Sequence, residues 1–298
     1  MLLAESPLSA QNAIVAFWLL AMGGAIGSFV NVVVYRLPAG LSLIRPGSHC
    51  PLCKHPIRWH DNVPVFGWIA LRGKCRDCRS PISVRYPLVE AISAAVFLGL
   101  GVGEFFLRGA SLPLRPEILF GEVFRARLDM VQLAGILAYH LLFFSTLLAA
   151  LLIDYDGRRV PGWLWLPAMA VGASAPLAWP WLHPVPAALL PADWIAGLAD
   201  VAAGAGAGAV LGWLARPVVG RRSAAGFFLA LVGTGLFLGW QSVAVLAVGS
   251  VALGGLSAVV GFRSARATFW LGMAALGWVL AWSPLVTNGI GRLWIGRW

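Results

Sequence analysis

Runs of about twenty apolar residues recur along most of this chain, and each is long enough to cross a ~30 Å hydrocarbon layer as a helix. No other feature restricts the fold as hard, because backbone polar groups in lipid must be satisfied inside a helix or a closed barrel. A barrel would show ~10-residue alternating segments, and these runs do not alternate. Only 11% of the 298 residues are charged and 59% are hydrophobic, against ~25% charged in soluble chains. A water-soluble enzyme and a disordered tail are both excluded. The expected fold class is an all-α polytopic membrane protein, and its 35 glycines suit close helix packing in lipid.

Eight spans are expected, at 13–34, 87–107, 129–153, 161–180, 193–215, 224–240, 241–262 and 267–285. The sixth and seventh are nearly continuous, with only Gly239, Trp240 and Gln241 suggesting a turn between them. The first run is too long and too Gly-containing for a signal-peptide core, so it is expected to stay in the mature protein. Sorted by loop, sixteen of the 22 Lys and Arg fall on one side and six on the other. By the positive-inside rule the richer side is cytoplasmic and both termini lie outside. The net charge of +10 is therefore an orientation signal and an attraction to anionic lipid, not a nucleic-acid footprint; the lipid bilayer is the expected partner. The chain divides into a first segment and span (1–34), a loop domain (35–86) and a bundle (87–298). The mixed-charge stretch 108–128 reads as a short interfacial helix.

All four cysteines lie in the 35–86 loop, as Cys50-Pro-Leu-Cys53 and Cys75-Arg-Asp-Cys78. Two such knuckles can place four thiolates at the corners of a tetrahedron, the geometry of a closed structural zinc site. Two disulfides are the alternative, but the charge pattern puts the loop in the reducing cytoplasm, where they seldom persist. His49, His55 and His60 lie beside the knuckles as substitute ligands or as solvated loop residues.

Several motifs here resemble a known family: Gly27-Ser-Phe-Val-Asn31 through Arg36-Leu-Pro38, the paired knuckles, Arg72-Gly-Lys-Cys75, Ile82-Ser-Val-Arg85 through Glu90, and Leu152-Ile-Asp154-Tyr-Asp156. Together they are similar to bacterial prepilin peptidases, or type IV leader peptidases. The resemblance implies a multi-pass enzyme of the bacterial inner membrane that cuts the leader from prepilins or pseudopilins. It also implies N-methylation of the new terminus with S-adenosylmethionine. Cleavage in that family is aspartic, with two carboxylates at cytoplasmic helix ends, the first in the Ile-Asp motif after the third span and the second in a G-x-G-D-x-K motif. Two adjacent carboxylates divide the work because both cannot ionise side by side: one activates water and the other, protonated, polarises the scissile carbonyl.

Asp154 fits the first position, and Asp156 is a weaker candidate two residues on. The second motif departs from the family. Anchored on Gly233 and Leu238-Gly-Trp240, its window falls on Ala224-Ala-Gly226-Phe227-Phe-Leu229, so that Phe227 stands for the aspartate and Leu229 for the lysine. Whether the chain cleaves, or is a silent homologue that binds prepilins or their assembly machinery, is thus a question separate from membership. Asp200, inside the fifth span, is expected to pair with a polar neighbour or to face the outer boundary, and not to meet Asp154, because sixteen helical residues to Arg216 amount to about 24 Å. Asp61 in the loop is at best a makeshift partner for Asp154. His140 and Asn31 are expected to make interhelical hydrogen bonds, and Glu90 to sit near a helix N-terminus, where the dipole favours a carboxylate.

Overall fold

A computed structural model describes residues 10–109, 111–112, 116–119, 122–125, 128–183, 194–259, 270–272, 274–277 and 279. The chain forms two compact units, Met1–Gly101 and Val102–Trp298. The architecture is α-helical, and five of the described helices are long and apolar enough to cross a membrane: Asn12–Ala39, Arg85–Phe106, Met130–Tyr155, Trp194–Val219 and Ala224–Leu253.

In the first unit, α1 (Ala10–Arg36) packs along α3 (Arg85–Leu100), with a loop carrying the five-residue helix α2 (Phe66–Ala70) between them. Glycine makes this pairing possible. A Cβ on Gly23 would lie 2.7 Å from the Cα of Ala94, and one on Gly27 would lie 2.7 Å from the Cα of Glu90. Both are far inside normal carbon contact. This is small-residue spacing in which the backbones themselves meet. Asn31 adds the expected cross-helix bond, its Nδ2 donating to the Tyr86 carbonyl at 3.3 Å.

The second unit holds α4 (Met130–Tyr155), α5 (Leu166–Ala178), α6 (Trp194–Val219) and α7 (Ala224–Val259). Asp129 starts α4 with a capping box: its carboxylate accepts from the Gln132 N–H at 2.7 Å and its own N–H donates to Gln132 Oε1 at 2.8 Å. The α6/α7 pairing again rests on glycine, at Gly204, Gly208 and Gly212 on α6. These lie four residues apart and therefore share one face. A Cβ on Gly204 would strike the carbonyl of Gly235, one on Gly208 the carbonyl of Leu231, and one on Gly212 would press on Phe228. Aromatic rings meet within a largely aliphatic core. Phe237 of α7 lies 4.2 Å from Tyr139 and 5.2 Å from Phe143, ring centre to ring centre.

Two expectations are corrected, and the count of eight spans is not confirmed. The stretch read as an interfacial helix contains a two-stranded antiparallel hairpin, β1 (Pro116–Leu119) with β2 (Glu122–Arg125), Leu119 pairing with Glu122. The β-branched and aromatic residues Ile118, Val123 and Phe124 favour a strand, and the mixed charges concealed it. The fourth span shrinks to α5, whose 13 residues rise only about 20 Å. Eight spans are not reached among the described residues, and most of the expected eighth, 267–285, lies outside them. The break near Gly239 is present: that residue leaves the helix at φ 79°, ψ 167° inside α7.

Candidate metal centre and buried carboxylate

The loop of the first unit repeats one small device. Cys50 N–H donates to the His55 carbonyl at 2.9 Å and Cys75 N–H to that of Ser80 at 2.8 Å. The Cys50 and Cys75 carbonyls in turn accept from the N–H groups of Lys54 and Arg79, at 3.0 and 3.1 Å. Lys54 and Arg79 both adopt positive φ, 62° and 61°, and each knuckle closes with a single bridge, His49 to Pro56 and Lys74 to Pro81. Tight turns of this kind aim the two thiols of a C-x-x-C pair to the same side.

The two knuckles face each other. Cys50 Sγ lies 3.8 Å from Cys78 Sγ and Cys53 Sγ lies 3.9 Å from Cys75 Sγ, and all four sulfurs fall within 4.8 Å of one another. None is in a disulfide. Bonds of about 2.3 Å to a central Zn²⁺ give a tetrahedral edge of about 3.8 Å, so the four cysteines fit a metal ion as they stand. Electrostatics agree. The backbone N–H groups of Cys53 and Leu52, with the Ser80 hydroxyl, pull the Cys50 thiol down to about 6. Cys53, despite the His55 N–H, is pushed up to about 12 by burial and the thiols around it. Four thiolates at one point need a cation. Among the described residues the three histidines are outside this cluster; His49 Nδ1 instead lies 2.9 Å from the Gly47 carbonyl.

Asp61 is engaged within the same loop. Its carboxylate accepts from Arg76 Nε at 2.7 Å and Nη2 at 2.5 Å, and that guanidinium holds it below the ordinary 3.8.

In the second unit Asp154 closes α4. It is 1% exposed and accepts a hydrogen bond from Ser223 Oγ at 2.7 Å. Ser223 immediately precedes α7, and its carbonyl accepts the Phe227 N–H at 2.8 Å. Phe227 therefore lies one turn on from the residue that touches Asp154, on the same side of the helix, and it is fully buried. Gly226 faces Val160, whose side chain would be 3.0 Å from a Cβ there, and Gly162 faces Leu229. The end of α4, the turn after it and the start of α7 are thus packed together. Asp156 is exposed at the C-cap of α4.

Among the other buried polar groups, His140 and Asp200 each lie beside a polar partner that sequence reasoning did not identify. His140 Nδ1 lies 2.6 Å from Glu104 Oε1, both side chains fully buried; Glu104 is in the π-helical turn Gly101–Phe106. Asp200 Oδ2 lies 3.8 Å from His183 Nδ1. His183 Nε2 lies 2.7 Å and Tyr139 Oη 2.6 Å from the Leu236 carbonyl, a group one turn before the break at Gly239. Carbonyls at a helix end lack their usual N–H partners, which explains why this one takes two side-chain donors. Ser223 was also missed; its one sequence signal is a serine placed just ahead of an apolar helical run, the usual N-cap pattern.

Residues 21–103 match the family described as the bacterial peptidase A24 N-terminal domain. A prepilin leader peptidase/N-methyltransferase of Myxococcus xanthus (strain DK1622) is 49% identical over 82 residues, 28% of this chain and 24% of that protein. One from Klebsiella pneumoniae is 33% identical over 237 residues, 76% of this chain and 86% of its own length. One from Aeromonas hydrophila is 30% identical over 250 residues, covering 74% and 72%. No solved structure matches the chain. With relatives at this identity matched over most of their length, the chain belongs to the prepilin leader peptidase/N-methyltransferase family.

Proposed function

We propose that this protein cleaves the leader from type IV prepilins or pseudopilins, with Asp154 as the carboxylate that activates water. The observation that supports this is a carboxylate kept 1% exposed at the end of a spanning helix and oriented by a serine hydroxyl at 2.7 Å. Ionisable groups at such sites are expensive to bury and usually carry function. Taking a proton from water as it attacks is worth roughly 10²–10⁴ in rate.

A second reading, a silent homologue that binds prepilins or their assembly machinery, is favoured by Phe227. An acid pair needs a protonated carboxylate opposite the first to polarise the scissile carbonyl. By resemblance that place belongs to Phe227, and a phenyl ring can neither donate nor share a proton. The test is leader removal from a co-expressed prepilin, read by mass. On the first reading wild type cuts and Asp154→Asn lowers the rate at least ~10²-fold. If wild type leaves the leader on and Phe227→Asp with Leu229→Lys restores cutting, the silent reading replaces it.

Around that centre we assign the remaining parts. The four cysteines Cys50, Cys53, Cys75 and Cys78 hold a structural zinc, since four protein thiolates leave no open position for catalysis. Residues 1–34 supply the first span, 35–86 the metal-held loop and 87–298 the bundle, with the peptidase-like core at about 129–285. The loop and Asp154 face the cytoplasm of a bacterial inner membrane, by the distribution of Lys and Arg. The methyl transfer in the relatives' name calls for S-adenosylmethionine as donor, without residues assigned to it.

A further inference from the structure

The loop between α1 and α3 does not simply project from the ends of its two spanning helices. At Pro64–Val65–Phe66 it turns back on them. Pro64 packs on Gly24 of α1, where an added Cβ would be 3.1 Å from the proline Cβ. The Val65 N–H donates to Glu90 Oε2 at 2.7 Å. Glu90 is buried five residues into α3 from Arg85, a rise of about 8 Å. Val65 has φ 63° and ψ −52°, and Phe66 N–H reaches back to the Pro64 carbonyl at 2.6 Å. That is a γ-turn of the rare, strained kind, centred on a β-branched residue that rarely adopts positive φ. The buried carboxylate on its N–H holds it in place.

The strained turn aims α2 in a definite way. Trp68 faces the loop, its Nε1 donating to the Ile82 carbonyl at 2.9 Å, with Gly73 beneath its ring. Phe66 and Ile69, three residues apart on one face, stay outside at 71% and 57% exposure. Exposed Arg72 and Lys74 follow directly. The loop as a whole carries nine Lys and Arg against two acids, Asp61 and Asp77, and both acids are already held by Arg76 and Arg58. An apolar face on a turn packed against two spanning helices, rimmed by unneutralised cations, complements one surface in particular: acyl chains beneath anionic headgroups.

We propose that the segment Val63–Lys74 docks into the leaflet from which α1 and α3 emerge, with Phe66 and Ile69 among the acyl chains and Arg72 and Lys74 on anionic lipid headgroups. Nothing in this depends on whether the protein cleaves prepilins. The experiment places a photo-crosslinking benzoylphenylalanine at residue 66, 69 or, as control, 77 of the full chain. The chain is held in nanodiscs of phosphatidylcholine with 30% phosphatidylglycerol and adducts are identified by mass spectrometry after irradiation. Lipid adducts are expected at 66 and 69 at least fivefold above 77. Phosphatidylglycerol should be enriched at least threefold over its mole fraction, and the enrichment should vanish in Arg72→Gln/Lys74→Gln. Equal lipid yields at all three positions, or capture at 66 and 69 of a co-reconstituted prepilin or a second copy of the chain in place of lipid, overturn the proposal. Enrichment that survives the double substitution overturns the headgroup assignment.

Discussion

Two glycines only two residues apart on α6, and so on different faces of the helix, are expected to respond to the same substitution with opposite signs. Alanine at Gly204 would put a methyl carbon 2.7 Å from the carbonyl carbon of Gly235, and alanine at Gly235 one 2.5 Å from that of Gly204. Carbon contacts settle near 3.5–4.0 Å, so the helices must separate by about 1 Å. Overpacking of this order costs about 1–3 kcal/mol, against a helix-propensity gain for Gly→Ala of at most about 1 kcal/mol. Gly204→Ala and Gly235→Ala are each expected to destabilise by a net ~1–2 kcal/mol. Gly206 has nothing within 4 Å of its would-be Cβ, so Gly206→Ala keeps only the gain, about 0.5–1 kcal/mol. Because one displacement makes room for both methyls, the double Gly204→Ala/Gly235→Ala should cost less than the two singles together by ~0.5 kcal/mol or more. Unfolding by increasing SDS mole fraction in detergent, followed by helical circular dichroism, reads all four variants. Equal signs at 204 and 206, or strict additivity in the double, would refute direct backbone contact as the basis of the α6/α7 pairing.

Three further outcomes are expected. Purified protein should carry one equivalent of zinc by elemental analysis; Cys75→Ser or a strong chelator should remove it and expose the loop to trypsin while helical dichroism stays within a few per cent. The Asp61 carboxyl sits below its ordinary 3.8 because of Arg76. Its contribution to loop stability is therefore full above about pH 4 and is lost as pH falls through the lowered value. Amide-exchange protection of the loop should show this acid decline in wild type and lack it in Arg76→Gln. Finally, Glu104→Leu alone leaves His140 buried without its partner and should cost about 3–5 kcal/mol, whereas Glu104→Leu/His140→Leu should come within ~1 kcal/mol of wild type; an equally damaging double would mean that packing, not polarity, governs that site.

What could be read in advance was whatever is local. Most of the apolar runs, the knuckle spacing and the interruption at Gly239 are properties of a few adjacent residues, and these are found where the chain announces them. Asp154 also stood out, through the resemblance of Leu152-Ile-Asp154-Tyr-Asp156 to the first acidic motif of the prepilin peptidases. Its companion Ser223 did not, because the contact joins segments 69 residues apart and no periodicity encodes it. Glu104 and His183 escaped for the same reason: each is one polar residue whose meaning depends on a distant imidazole or carboxylate. Val65 is the extreme case. Nothing in a valine suggests a left-handed turn, and only the Glu90 carboxylate opposite its N–H accounts for it. The hairpin at 116–125 was obscured differently, by charges that mimic a surface helix.

The break at Gly239 also resets the helical phase. One residue inserted after Gln241 would swing everything downstream by about 100°, yet Ser223, Phe227 and the glycine contacts with α6 lie upstream and would keep their facing. Gly239 is thus the joint at which the second half of α7 can be re-aimed without turning the half beside Asp154.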